Sequence, residues 1–446
     1  MSSRAAAVEA EIPGVLADLK RLVAIESVSS DPNRADQVQA SAEAVAELLT
    51  GAGCPDVRIV SAAGGKPAVI GRYLAPQGAP TICLYAHHDV QPTGPVEQWH
   101  SDPFTATERD GRLYGRGAAD DKGGFAVHLA ALRAWGGQPP VGVTVFVEGE
   151  EEMGSPTLAD LMAEHRELLA ADVYVIADSG NWEVGAPAFT TTLRGLADCV
   201  VEVETSDRLL HSGQFGGVVP DALTTLCRLL ATLHDDAGNV AVAGVRNAEE
   251  PDLDYPAERV VAESGLLPGV QTIGSGGLAG RMWRKPSVSV LAIDATPVDK
   301  AANVLAPSAR AKVSMRVAPG QDADEAMSAL TEHLRTHAPW GAKVTVHDGE
   351  AGQSGQVPFE GPYADAAQAA FGQAWGRQPV FVGQGGSIPM VADFQAAFPE
   401  ATVLVTAVAD PDSRMHGIDE SLHLGDFAKA CRAEADLLGR CAGLQR

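Results

Sequence analysis

Two kinds of hydrophobic spacing divide the chain. Val15, Leu16, Leu19, Leu22 and Val23, and then Ala44, Val45, Leu48 and Leu49, recur at helical intervals, the second run closing at Gly51. Short β-branched runs follow at Thr81 to Ala86, Val141 to Val147, Val173 to Ala177 and Thr402 to Val405, with helical patterns such as Gly124 to Trp135 between some of them. Continuously apolar runs of this length suit strands buried on both faces, so this part of the chain predicts an α/β domain. From about Ala188 the texture becomes alternating, as in Cys199 to Glu204, Ser287 to Val290 and Ala311 to Arg316, around a helix-like Ala222 to Leu233. That pattern predicts a half-exposed sheet with helices on one face. Gly349 to Val357 reads as a linker and Glu263 to Gly280 as a flexible loop, and Tyr363 to Trp375 resumes helical spacing.

A chain of 446 residues is too long for one ordinary core. The expected division is a discontinuous domain, residues 1–187 and 353–446, interrupted by an inserted domain at 188–352. Each apolar run of the first domain is followed within about a dozen residues by histidine or carboxylates, at the strand ends where α/β sheets place their sites. His87 and Asp89 follow the first run; Glu148, Glu150, Glu151 and Glu152 the second; Asp178 the third; and Asp410 through His416 the last. Residues far apart in sequence are thereby expected to converge.

Composition narrows the partners. A net charge of -25 lacks the Lys and Arg surface that phosphate binding needs, which excludes a nucleic-acid partner. Six cysteines without a C-x-x-C pair disfavour a disulfide framework and a thiolate zinc site. The first residues carry Glu9 and Glu11 and no apolar stretch of signal-peptide length, and no later segment has the length of a membrane span. A cytoplasmic protein with no membrane partner is the expectation.

Several local clusters carry chemistry. His87 and Asp89 end a strand two positions apart, so an extended backbone points both to one side, His87 to ligate a metal and Asp89 to orient it. Read alone, such a triplet is more often a structural or surface feature. Asp120 and Asp121 lie in the glycine-rich turn Gly115 to Gly124, where a carboxylate can bridge two cations, or simply cap the following helix. The carboxylates of Glu148 to Glu152 repel one another unless cations or protons neutralise them, and neighbours there can divide into a ligand and a free base. With Asp178 and His416 the set becomes two histidines and three carboxylates, an N/O donor set suited to Zn or Mn.

These motifs resemble, in order, those of the di-zinc aminoacylase and carboxypeptidase metallopeptidase family, and most closely its carnosinase-like (cytosolic nonspecific) dipeptidase branch. The resemblance rests on His87-x-Asp89-Val90-Gln91-Pro92, Gly115-Arg116-Gly117-x-x-Asp120-Asp121-Lys122-Gly123, Glu148-Gly149-x-Glu151-Glu152-x-Gly154-Ser155, Ile176-x-Asp178, Leu210-His211-Ser212-Gly213, Gly385-Gly386-Ser387-Ile388-Pro389 and the late His416. It implies a mixed-sheet α/β catalytic domain with an inserted α+β lid that makes a homodimer.

It further implies two divalent ions per subunit, Zn first and Mn second. His87, Asp120 and Asp178 would hold one, and Asp120, Glu152 and His416 the other, with Glu151 as general base and a cis peptide at Asp120-Asp121. His211 would reach the partner's site to stabilise the oxyanion, and Arg316, Asn303, Gly385, Gly386 and Ser387 would contact a small peptide through its free carboxylate. The implied reaction is hydrolysis of a dipeptide amide bond by water activated between the metals. Asp178, where deacylase branches carry Glu, favours peptides over N-acyl amino acids; a non-catalytic dimeric binding protein is the rival of a different kind. Two positions depart from the family pattern and touch the substrate pocket. Gln384 replaces an acid, and Leu209 replaces an Asp.

Overall fold

The computed structural model describes residues 3–386 and 389–444. They group into two compact units. One comprises Met1–Thr191, Val357–Val382 and Asp393–Arg446; the other comprises Thr192–Gln356 with Gly383–Ala392.

The apolar runs of the first unit form its sheet, in the spatial order Asp56–Val60, Ala68–Tyr73, Gly142–Glu148, Thr81–His87, Val173–Ile176, Thr402–Thr406 and Ala188–Leu193. The four strands from Gly142–Glu148 to Thr402–Thr406 are mutually parallel, and the flanking strands pair antiparallel, which makes the sheet mixed. Parallel strands are covered on both faces and therefore read as unbroken apolar runs; every residue of Gly142–Glu148 is buried. Helices Ser3–Val23, Lys122–Ala134, Pro362–Trp375 and Leu424–Cys441 pack against one another. Their apolar faces join the strands in one core through Leu19, Phe125, Phe371 and Leu437. Full burial of such a side chain contributes roughly 1.5–3 kcal/mol. Parallel pairing brings the carboxyl ends of the four strands to one edge, the crevice where α/β folds place ligands.

The second unit is an antiparallel sheet in the order Ser287–Asp294, Ser308–Val317, Gly195–Glu204 and Lys343–Gly352, packed against helices Ala222–Ala231 and Ala323–Thr336. Its inward positions, among them Val201, Val203, Val313 and Met315, meet Leu226 and Leu330 of the helices. Two sequence features read differently in three dimensions. The expected linker is, through Gly352, the end of a ladder strand with a register irregularity between Asp348 and Ala351. Gly349 serves close approach there, because a Cβ would meet Asp198 Oδ1 at 2.0 Å. Segment Gly383–Ala392 groups with the second unit because Gly383 packs on Trp283, where a Cβ would meet the indole side chain at 2.5 Å.

Candidate metal centre

Each residue of the cluster is set by a strand end or by the turn after it. His87 closes the strand Thr81–His87 and is fully buried. Its Nε2 lies 3.1 Å from Asp120 Oδ1, and its Nδ1 lies 3.1 Å from the Asp89 carbonyl oxygen and 3.4 Å from Asp89 Oδ1. Asp89 is thus on the far ring nitrogen, where it fixes the imidazole's orientation. Burial pushes the Asp89 carboxyl up, but the bond and charge of His87 outweigh it and hold it below the usual range. Asp89 Oδ2 also accepts from the Glu152 backbone N–H at 3.1 Å, tying the first loop to the second.

Asp120 follows the turn at Gly117, and the Asp120-Asp121 peptide is cis. Its two oxygens face different histidines, Oδ1 toward His87 and Oδ2 toward His416 Nε2 at 3.0 Å. His416 Nε2 is also 3.2 Å from Glu152 Oε2. His416 is half-exposed and has a φ of +62°, the left-handed region that a non-glycine residue occupies at a cost of order 1–3 kcal/mol when its surroundings hold it there. Glu152 accepts in addition from Gln91, at Oε1 from the backbone N–H at 3.1 Å and at Oε2 from Nε2 at 2.9 Å.

Ligand-capable atoms of His87, Glu151 and Asp178 lie within 4.8 Å of one another, and so do those of His87, Asp120 and Glu152. Burial first, and then the Asp178 charge, push the Glu151 carboxyl well above its ordinary value. Burial also pushes Asp178 up to about 7, with His87 pulling back and Asp120 and Glu152 adding repulsion. The imidazoles move to meet this negative field. His87 is pulled down by burial but lifted further by Asp120 and Asp89, and His416 is raised to about 10 by Asp120 and Glu152. Burial and mutual repulsion raise Glu151 and Asp178, while at Asp120 the two histidines outweigh burial and hold it below the usual range; crowded carboxylates of this kind are what cations would neutralise, and the imidazole and carboxylate donors fit two borderline-hard divalent ions.

Beneath this cluster lies an ion pair that the sequence reading did not single out. Glu420, fully buried, accepts from Arg116 Nη1 at 2.6 Å and Gly117 N–H at 3.1 Å through Oε2. Its Oε1 accepts from the N–H groups of Ala119 at 3.0 Å and Asp120 at 3.1 Å. Arg116 Nη2 reaches on to the carbonyls of Pro92 at 3.2 Å and Gly417 at 3.1 Å. One carboxylate and one guanidinium therefore join the loops that follow His87, precede Asp120 and carry His416. Arg116 stands inside a motif quoted above and Glu420 lies four residues after His416, but no local signal pairs charges 304 positions apart.

The remaining expected site residues belong to the second unit. The two-residue strand Leu210–His211 pairs with Val304–Leu305, and the Ser212 N–H donates to the Asn303 carbonyl at 3.0 Å, so His211 and Asn303 come together, both exposed. His211 Nδ1 accepts from the Gly213 N–H at 3.0 Å, and Leu209 is 62% exposed. Arg316 lies in Ser308–Val317, half-buried. Gly385 and Gly386 are half-buried, and Ser387 lies outside the described residues.

A family model described as peptidase family M20/M25/M40 matches residues 83–440. A cysteinylglycine-S-conjugate dipeptidase of Corynebacterium striatum is 36% identical over 431 residues, which cover 95% of this chain and 94% of that one. The Cys-Gly metallodipeptidase DUG1 of Candida albicans is 28% identical over 455 residues, covering 94% and 93%. Among solved structures, human carnosine dipeptidase 1 superposes with a TM-score of 0.81 at 24% identity, over 99% of each chain.

Proposed function

The chain belongs to peptidase family M20/M25/M40, and from that premise we propose that it is a metal-dependent dipeptidase, hydrolysing the amide bond of small peptides. The observation that carries the reading is the convergence of His87, Asp120, Glu151, Glu152, Asp178 and His416 at one sheet edge, with Asp120 facing both histidines.

In this reading His87, Asp120 and Asp178 hold one divalent ion, and Asp120, Glu152 and His416 hold the other, Asp120 being shared. The two imidazoles support zinc as the native metal, with manganese the alternative. Bound divalent ions supply Lewis acidity and activate water at neutral pH. Glu151 is the general base: it stands beside His87 and Asp178 and next to Glu152, where it can take a proton from water and return it to the leaving amine. Asp89 orients His87, and Gln91 holds Glu152. Arg316 receives the peptide's free carboxylate, with Asn303 and the Gly385-Gly386-Ser387 segment as further contacts.

A homodimer through the inserted unit, with His211 stabilising the oxyanion in the partner's site, completes the reading. The edge strand Ser287–Asp294 supports it, because Leu291 is 62% exposed on a strand with one free side. We place the protein in the cytoplasm. Its six cysteines are all unpaired, which suits a reducing compartment, and no helix among the described residues is long and apolar enough to cross a membrane.

The test is a hydrolysis panel on metal-stripped protein restored with Zn or Mn, comparing dipeptides, longer peptides, and N-acetyl and N-succinyl amino acids. Metal-restored cleavage of dipeptides that Glu151→Ala abolishes without loss of bound metal is the expected result. Preference for the acylated amino acids would move the function to a deacylase, and inactivity across the panel would overturn it.

A further inference from the structure

The first unit contains a second, small sheet, Thr107–Arg109, Arg112–Tyr114 and Ser421–His423, whose last strand follows the loop that carries His416. Arg109 stands directly opposite Arg112 in its ladder, so the two side chains share one face, and like charges so placed destabilise a sheet unless something compensates them. Both line a cavity of about 500 Å³, together with Tyr114, His100, Arg414, Asp412 and Asp419.

The acids of this cavity leave its cations partly unmatched. Arg112 is 9% exposed; its Nε donates to Ser421 Oγ at 2.8 Å, and its Nη2 donates to Asp410 Oδ2 at 2.8 Å and to Ser413 Oγ at 3.1 Å. Its Nη1 has no acceptor among the described residues. The Arg109 guanidinium lies 4.0 Å from the centre of the Tyr114 ring, and its side chain makes no hydrogen bond or ion pair among the described residues. Arg414 Nη1 is 3.9 Å from Asp419 Oδ2, beyond hydrogen-bond reach. Asp419 is committed to His100, whose backbone N–H donates to Oδ1 at 3.0 Å and whose Nδ1 lies 2.5 Å from Oδ2. Asp412 is exposed.

This gathering occurs in a chain with 58 acidic residues against 33 basic ones. Three guanidiniums from three segments, each with uncommitted donors, suit a small anion. A carboxylate offers them two oxygens, whereas a phosphoryl group offers three. The cavity suits one such group and provides no extended surface for a nucleic acid.

We propose that Arg109, Arg112 and Arg414 form an effector site for a phosphoryl group, free as inorganic phosphate or carried by a small monoester, which braces the loop bearing His416 when bound. The path to the metal centre is short. Arg414 stands two residues before His416, and Arg112 Nη2 holds Asp410 and Ser413 at the start of the same loop. Anion binding and metal retention are thereby coupled, each favouring the other. The bracing rests on the reading of His416 as a metal ligand, and the anion site stands without it.

The experiment titrates metal-loaded wild type, Arg109→Gln and Arg109→Lys with inorganic phosphate and with glycerol 3-phosphate in a calorimeter at constant ionic strength. Thermal unfolding establishes that the variants are folded. Charge-assisted hydrogen bonds of this kind correspond to roughly a ten- to hundredfold change in affinity. Arg109→Gln is expected to weaken binding by about that factor, and Arg109→Lys to recover part of it. Tighter binding of the monoester identifies an esterified ligand, and any other order identifies the free ion. No binding of either, or equal affinity in wild type and Arg109→Gln, as anions on the metals would give, would overturn the site. Chelator competition for Zn tests the bracing: phosphate should raise zinc retention in wild type but not in Arg109→Gln, and an equal effect in both, or none, would overturn it. Dipeptide hydrolysis by the same wild type without phosphate tests the peptidase reading separately, because calorimetric binding does not depend on turnover.

Discussion

Glutamine at position 420 is the perturbation that asks most of the metal centre. Glu420 receives two donors on each oxygen, Arg116 Nη1 and Gly117 N–H on one, Ala119 and Asp120 N–H on the other. Glu420→Gln keeps the volume but puts an NH2 where one oxygen was, so either amide orientation leaves two buried donors unpaired. At about 1–3 kcal/mol for each donor the loss is about 2–6 kcal/mol, in line with about 3–5 kcal/mol for breaking a buried pair. A protein with a stability of order 5–15 kcal/mol should survive it folded. The more specific consequence falls on Asp120, whose own N–H is one of the four donors, and whose carboxylate faces both histidines. Loss of such outer support weakens metal binding by about 10–100-fold. Urea unfolding of the chelated protein measures the first effect, and chelator competition for Zn measures the second. Unchanged metal affinity alongside the stability loss would show that the clamp holds the fold without positioning the ligands; unchanged stability would refute the hydrogen-bond reckoning itself.

Two further outcomes are expected. His128 is fully buried, with Nδ1 2.8 Å from Glu434 Oε1 and Nε2 2.9 Å from the Tyr85 carbonyl oxygen. Burial pulls its pKa down, but the charge and hydrogen bond of Glu434 outweigh that and raise it above 6.5. A raised folded-state pKa means stability fully present below the unfolded value of about 6.5 and lost as pH rises through the folded value. The thermal midpoint of the metal-loaded protein should therefore fall more between pH 6 and 9 in wild type than in His128→Asn, and equal slopes would remove the pair from the account. For His211, mixing inactive Glu151→Ala and His211→Ala subunits should restore activity, because one site of the mixed dimer then combines an intact base with the partner's intact histidine. A mixture that stays inactive while exchanging subunits, as followed by native mass spectrometry, would end the trans role, whose loss should lower kcat by about 10²–10³-fold.

The legible part of the candidate site was its clustered donor residues, and the reason is local. His87, Glu151, Glu152 and Asp178 end or follow β-branched apolar runs of a length that suits buried parallel strands, and a parallel sheet sends all its carboxyl ends to one edge. His416 follows the last apolar run at a greater distance, and Asp120, in a glycine-rich turn and not after a patterned strand, was legible chiefly through ordered motifs resembling a known family. The second unit's alternation likewise announced a one-sided sheet, as the burial of Gly195–Glu204 and Ser308–Val317 bears out. The run Gly349 to Gly352 was misread because glycine signals both a loop and a close approach, and only the neighbouring Asp198 distinguishes them.

The amino-acid pattern by itself thus determined the elements, the layer type and the donor chemistry, since periodicity and side-chain type are properties of short windows. Tertiary structure decided the supports: which acid receives Arg116 and which loops that pair joins. The ladder between Arg112–Tyr114 and Ser421–His423 illustrates the difference, because it brings Glu420 beside the turn before Asp120. Such pairings depend on where distant backbone segments are fixed by the core, and a buried charge acquires its role only from the partner that the fold brings within hydrogen-bond reach.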